Sequence, residues 1–237
     1  MAGGRYFSTK ATTVGTTKPV LVLKPNKKRK KRRGRQMTII RHPTIGGFPK
    51  SIFTRLKYTQ SGSLDPGLGG ANAVTIVCPN GIYDVDISGG GHSPRGFTEW
   101  MARYDHYFVR NSKIDVTFFN ADTAAEVMCG IALRDDVTAE VTTVNYQEQD
   151  CVSAMLPRAG APNSYKKLTR YYSYSKQNFK SYTDAANKGV VNDNPSEKGY
   201  WHIYVGSPWG DNAELTQYTY DVYYDVLFTE LKPVTIS

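Results

Sequence analysis

Seven consecutive cations, at residues 27–33, are the strongest chemical signal in this sequence. Clustered Lys and Arg side chains bind phosphate oxygens and release counterions from a nucleic acid, whatever its base sequence. Residues 1–41 hold thirteen Lys and Arg residues and no Asp or Glu. Because like charges repel and this composition buries little, we expect residues 1–44 to be a disordered basic arm that binds nucleic acid. Its candidate binding residues are Lys24, Lys27, Lys28, Arg29, Lys30, Lys31, Arg32, Arg33, Arg35 and Arg41.

The same run of cations is typical of a nuclear localisation signal, so an import receptor is a second expected partner of the basic arm. A solvated tail that only aids solubility is the alternative. Solubility is helped more by acidic residues than by cations, which favours the binding interpretation.

Two further cations, Arg55 and Lys57, are two residues apart in a segment of strand-like alternation. Residues spaced by two point to the same side of a strand, and Leu56 and Tyr58 point to the other. We expect Arg55 and Lys57 to extend the basic surface of the arm onto the folded body. An ordinary solvated strand face is the alternative.

Residues 164–182 interleave Lys and Arg with Tyr and Phe and contain no acidic residue. Aromatic rings between cations are typical of a groove in which single-stranded nucleic acid stacks. A subunit contact with tyrosines at its centre and lysines in water needs the same residues, and it is the preferred interpretation.

Signals for catalysis or metal binding are poor. The histidines have no second ligand at zinc spacing, the glycines at 89–91 lack the Lys-Ser/Thr of a phosphate loop, and no acidic pair has EF-hand spacing. We therefore expect no enzyme activity, no cofactor and no metal. The histidines are His42, His92, His106 and His202. We expect the three cysteines to be reduced thiols; they are Cys78, Cys129 and Cys151.

The charge of the chain is divided sharply along its length. Residues 1–60 carry a net charge of +16 and residues 61–237 a net charge of −7, giving +9 over 237 residues. A uniformly basic domain is thereby excluded. The longest apolar runs are far shorter than the roughly 20 residues that a bilayer requires, so we expect no membrane partner.

Apolar residues recur with a period of two through most of the body, which predicts strands. An apolar stripe at 97–108 predicts a helix, and a second short helix is predicted at 144–149. We expect residues 45–237 to be an all-β, eight-stranded antiparallel jelly-roll sandwich with one or two short helices. The predicted strands are 52–60, 73–78, 81–87, 113–118, 127–133, 165–175, 200–205 and 217–231.

Three stretches of the body carry a family resemblance: YDHYFV at 104–109, SKIDVTF at 112–118 and YTYDVYYDV at 218–226. Together with the basic arm, they resemble the capsid proteins of circoviruses and related circular single-stranded DNA viruses. The resemblance implies a subunit that forms a shell, packages the viral genome and enters the host nucleus.

We therefore expect a viral capsid protein that self-assembles into a small icosahedral shell of sixty copies, with triangulation number T=1. Its expected partners are single-stranded viral nucleic acid, other copies of itself and a nuclear import receptor, and its expected locations are the virion and the host nucleus. We expect the seventeen tyrosines to exceed what one core needs and to supply subunit contacts. A coat protein of a small RNA or satellite virus is one alternative. A nuclear β-sandwich that binds nucleic acid or carbohydrate is another.

Overall fold

A computed structural model describes residues 44–45, 47–177, 183–210 and 215–233. In these residues the strands are β1 (Thr44–Ile45), β2 (Phe48–Pro49), β3 (Ser51–Leu64), β4 (Ala73–Val77), β5 (Tyr104–Asn120), β6 (Val127–Arg134), β7 (Cys151–Leu156), β8 (Tyr165–Ser173), β9 (Tyr200–Gly206) and β10 (Thr216–Leu231). The helices are α1 (Phe97–Met101), α2 (Thr143–Gln147) and α3 (Tyr174–Gln177), with single 3₁₀ turns at Leu68–Gly70 and Ala185–Asn187. Among the described residues, no helix is long and apolar enough to cross a membrane.

The eight longer strands form two four-stranded antiparallel sheets, in the orders β3-β10-β5-β8 and β4-β9-β6-β7. From β3 to β10 the chain passes to the other sheet at every step except between β6 and β7. Two interleaved four-stranded sheets of this kind make a jelly roll. The fold class predicted from the sequence is confirmed, as is the position of α2.

Tyrosines fill the core between the two sheets. Tyr58 and Tyr220 lie with ring centroids 5.9 Å apart, and Tyr224 is fully buried and donates a hydrogen bond to the carbonyl oxygen of Cys78 at 2.7 Å. A buried tyrosine hydroxyl needs such a partner. The buried tyrosines are Tyr58, Tyr104, Tyr107, Tyr146, Tyr172, Tyr174, Tyr204, Tyr218, Tyr220 and Tyr224. Among the described residues, ten tyrosines are therefore buried within a single chain, eight of them in the core between the sheets. Whether the other tyrosines supply subunit contacts stays a prediction.

Three sequence predictions of secondary structure need correction. Residues 81–87 form no strand and make a single bridge, Val77 to Asp86, because the Asn194 side chain binds the backbone of Tyr83 and Asp84 in place of a neighbouring strand. The helix predicted over 97–108 ends at Met101, because the chain from Tyr104 onward pairs with β10. Strand β7 was not predicted, since most of its residues are half-buried on both faces and show no alternation.

Two of the three thiols are buried, and all three cysteines are free. Burial raises the pKa of the Cys78 thiol to about 11 and that of the Cys129 thiol to about 12. Thiols with such pKa values carry almost no thiolate at neutral pH and do not react readily. They serve as small apolar core residues, as the sequence predicts.

Replacing Gly189 by Ala tests how tightly the chain packs on the core tyrosines. Gly189 and Tyr107 exchange two backbone hydrogen bonds of 3.0 Å, and a Cβ at 189 would overlap the Tyr107 ring. We expect Gly189→Ala to lower the free energy of unfolding by roughly 1–3 kcal/mol, as overpacking does. Gly89→Ala is the matched control, because a Cβ there lies 3.6 Å from its nearest neighbour. Equal unfolding midpoints for the two variants in urea would contradict this packing.

Candidate nucleic-acid interface

The outer surface of the sheet β3-β10-β5-β8 is the candidate interface, and we name it the open face. Side chains here alternate with the core residues of the same strands. Strand register places Lys57 opposite Tyr223, Tyr223 opposite Lys113, and Lys113 opposite Tyr171. The four side chains form one row across the four strands, in the order cation, aromatic, cation, aromatic.

Each cation of the row lies near an aromatic ring. The Nζ atom of Lys57 is 5.5 Å from the centroid of the Tyr223 ring. The Nζ atom of Lys113 is 5.8 Å from the Tyr223 centroid and 5.9 Å from that of Tyr171. These distances are in the range of cation–π attraction.

Carboxylates neutralise most of the positive charge on the open face. Arg55 Nε lies 2.8 Å from Asp225 Oδ1, and Lys57 Nζ lies 3.0 Å from Asp221 Oδ2. These are one-to-one ion pairs, and their cations are more than two-fifths exposed, so each pair adds little stability.

Asp115 differs because it serves two lysines at once. Its Oδ2 atom is 2.7 Å from Lys113 Nζ and 3.3 Å from Lys167 Nζ, and its Oδ1 atom accepts a 2.7 Å hydrogen bond from Thr169. Burial raises the pKa of Asp115, but the hydrogen bonds from Lys113, Thr169 and Lys167 outweigh burial, and the pKa lies below its usual value. The excess positive charge of the open face therefore lies beside β5 and β8.

The outer surface of the second sheet, in contrast, is covered by the chain itself. Tyr146 of α2 stacks on Tyr204 with ring centroids 4.2 Å apart. The His202 imidazole lies between the Tyr146 hydroxyl, at 2.9 Å, and the Asp136 carbonyl oxygen, at 2.8 Å. Burial lowers the pKa of His202, so the ring is neutral near pH 7 and has a structural role.

Described residues 47–49 fix where the chain enters the open face. The Arg103 guanidinium lies 4.4 Å from the centroid of the Phe48 ring, and the Tyr104 hydroxyl donates a 2.9 Å hydrogen bond to the Pro49 carbonyl oxygen. Strand β3 begins at Ser51 immediately afterwards. The sequence that follows the basic arm therefore leads directly into an edge strand of this sheet.

The sequence-predicted binding residues fall into two groups. Arg55 and Lys57 lie on the open face, as their spacing predicts, but each is paired with an aspartate of β10. Whether they bind nucleic acid stays a prediction. The others lie outside the described residues: Lys24, Lys27, Lys28, Arg29, Lys30, Lys31, Arg32, Arg33, Arg35 and Arg41.

The stretch at 164–182 divides between the core and the open face. Leu168 and Tyr172 are buried, whereas Tyr165 and Tyr171 of β8 are 60% and 67% exposed on the open face. Residues 178–182 lie outside the described residues. Tyr223 was not among the residues predicted from the sequence. It lies between Val222 and Tyr224, which are both buried, and this alternation indicates that the Tyr223 side chain points outward.

No group of three or more His, Cys, Asp or Glu side chains is arranged to hold a metal ion in the part of the chain that the structure describes. Residues 89–91, the glycine-rich stretch, lie on a loop beside Asp86. That carboxylate accepts hydrogen bonds from Ser88 and from the Tyr220 hydroxyl. A carboxylate at this position opposes phosphate binding.

Comparison with known proteins gives likenesses of structure only. No family model matches the chain, and no curated protein sequence matches it. A Cocksfoot mottle virus structure is similar with a TM-score of 0.46 and 12% identity, covering 77% of this chain and 96% of that chain. The empty head of Turnip Yellow Mosaic Virus is similar with a TM-score of 0.43 and 12% identity, and the match covers 82% of this chain and 89% of that chain. A decameric BFDV capsid protein is similar with a TM-score of 0.40 and 10% identity, and the match covers 75% of this chain and 99% of that chain.

The ion pairs of Asp115 predict a pH-dependent loss of stability. Because the folded-state pKa is lowered, the carboxylate stabilises the fold above its unfolded-state pKa, about 4, and this contribution is lost as the pH falls through the folded-state value. We expect Asp115→Asn to lower the free energy of unfolding by roughly 1–3 kcal/mol at pH 7 and by less below about pH 4. Asp225→Asn, which affects only the exposed pair with Arg55, should cost less than about 1 kcal/mol. Urea unfolding of both variants from pH 7 to pH 3 measures these changes. A loss of unfolding free energy in Asp115→Asn that is the same at every pH would contradict the account.

Proposed function

We propose that this chain is a viral capsid protein whose jelly roll assembles into a small icosahedral shell and whose basic arm holds single-stranded nucleic acid inside it. The observation that carries the proposal is the direct continuity of the arm with the jelly roll. The predicted arm, residues 1–44, reaches strand β1 (Thr44–Ile45), and β3 begins at Ser51, so a short segment joins a strong phosphate binder to the folded body.

The interior of the sandwich supports a structural role over a small-molecule one. Ligand sites are concave and partly empty, whereas the space between these sheets is filled by buried aromatic side chains such as Trp201, Tyr220 and Phe228. On its outside, the described fold presents the open face, a surface of four strands, and a polar surface pocket of about 770 Å³ beside Arg134 and Lys198. The open face is broad enough to contact a macromolecule.

The charge distribution fits a shell that closes around a polyanion. Sixty copies would bring about 780 arm charges into one particle, enough to neutralise roughly that many phosphates. An empty shell would be opposed by repulsion among the arms. The body beyond residue 60 carries −7, so the arm supplies the excess positive charge of the chain.

The genome that we propose is circular single-stranded DNA, on the strength of the family resemblance in the three stretches at 104–109, 112–118 and 218–226. A small RNA or satellite virus coat protein is the second candidate, because phosphate contacts alone do not distinguish DNA from RNA. Nucleic acid recovered with the particles from infected material separates the two. Destruction by DNase supports the first, and destruction by RNase supports the second.

The proposal includes entry into the host nucleus through an import receptor that reads the same cations. Residues 24–41 fused to a cytoplasmic reporter provide the test. Accumulation of the fusion in the nucleus supports import. Exclusion of the fusion from the nucleus contradicts it.

Neutralising the cations of the arm tests the nucleic-acid role. With the seven cations at 27–33 changed to Gln, we expect the slope of log affinity against log salt for single-stranded DNA to fall by about 5, because up to seven phosphate contacts are lost. The body should stay folded by circular dichroism. Arg95→Gln with Arg110→Gln, which removes two exposed cations of the body, is the control and should change the slope little. An unchanged slope in the arm variant would contradict the proposal.

A further inference from the structure

The side of the open face next to β8 combines features that the β3 side lacks. Tyr165 and Tyr171 are its most exposed aromatic side chains, and the Tyr165 ring stacks on Phe119 with centroids 6.3 Å apart. Lys167 lies between the two tyrosines on the same face of β8, with a side chain 58% exposed. We name these three residues of β8, with Phe119 and Lys113 of β5, the aromatic track.

The spacing of the track suits a single strand. Tyr165 and Tyr171 are six residues apart on β8, which is roughly 20 Å along a strand. Both tyrosine side chains are mostly exposed, so a base can reach each ring, and Lys167 lies between them in sequence on the same face of β8. Stacking accepts any base, because every base has a π-face.

The charge of the track is too small to hold phosphates without stacking. Lys113 and Lys167 share one carboxylate, that of Asp115, so this region has an excess of a single positive charge. Nonspecific affinity for a duplex comes from phosphate contacts, and a duplex offers no exposed base faces to the rings. The track can therefore favour unpaired nucleic acid, whereas the arm binds either form.

The basic arm and the track are parts of one chain and can bind the same nucleic acid. From Arg35 to Thr44, where β1 begins, an extended chain spans up to roughly 30 Å. A single strand longer than this can contact the cations of the arm and the aromatic track together.

We propose that the aromatic track binds the unpaired bases of single-stranded nucleic acid, so that the folded body, not the arm, distinguishes single strands from duplexes. The inference rests on the proposed function, in which the arm holds the phosphates of the same nucleic acid. It adds the site and the chemistry that select the packaged form.

The test compares two oligonucleotides on the full chain, at protein concentrations where sedimentation shows no assembly. The probes are a labelled strand of about ten deoxythymidines and a duplex of about ten base pairs, followed by fluorescence anisotropy. We expect Tyr165→Ala with Tyr171→Ala to weaken binding of the single strand by at least about fivefold per ring. Duplex binding should change by less than about twofold, since it depends on the arm.

Two further variants act as controls. Tyr165→Phe with Tyr171→Phe keeps both rings and should retain single-strand binding. Trp209→Ala removes a 69% exposed ring outside the open face and should change neither affinity. Loss of single-strand binding in either control would show that ring stacking on the track is not the cause, and would overturn the inference.

The failures of the two proposals are distinguishable. If the full chain binds neither oligonucleotide at low salt, the proposed function fails. If both bind but the alanine pair changes neither affinity, or both equally, only the track is overturned. If the alanine pair prevents particle formation and leaves single-strand binding intact, the track is a contact between subunits, which also overturns the inference.

Discussion

Strand β10 runs between β3 and β5, and its register with both decides which side chains enter the core. Tyr218, Tyr220 and Tyr224 point inward, and Asp221 and Asp225 point outward to the cations of β3. A slip of one residue would reverse the two sets. Burying unpaired carboxylates costs far more than exposing tyrosines, so the alternation of Tyr and Asp selects one register. The core and the open face both follow from it.

The two sheets therefore differ in what covers them. Residues 135–150 cross the outer surface of one sheet, where Tyr146 packs on Tyr204 and binds His202. Among the described residues, the open face of the other sheet keeps Tyr165 and Tyr171 exposed. In the described part of the chain, the open face is therefore a sheet surface that a partner can contact. In the sequence, β3 begins seven residues after the predicted end of the basic arm.

Much of the fold is predictable from the sequence, because the period of two is clear wherever one face of a strand is buried. The prediction fails where alternation is absent, as in Cys151–Leu156, or where a side chain binds the backbone of a loop, as Asn194 does at Tyr83 and Asp84. For the site, the outward direction of Arg55 and Lys57 is predictable. Their pairing with Asp225 and Asp221 is not, because those partners lie more than 160 residues away. The number of tyrosines likewise does not predict how many are exposed. The register between strands that are distant in sequence decides which rings are buried.

The central claim is that this chain is the subunit of a closed shell, and the mass of its assembly tests that claim most directly. Sedimentation and electron microscopy of the full chain, with single-stranded DNA and across a range of salt, provide the measurement. The account predicts uniform closed particles with a protein mass of about 1.6 MDa, which corresponds to sixty chains of 26.5 kDa. A species of about 26 kDa under every condition would contradict it and support a nuclear binding module instead.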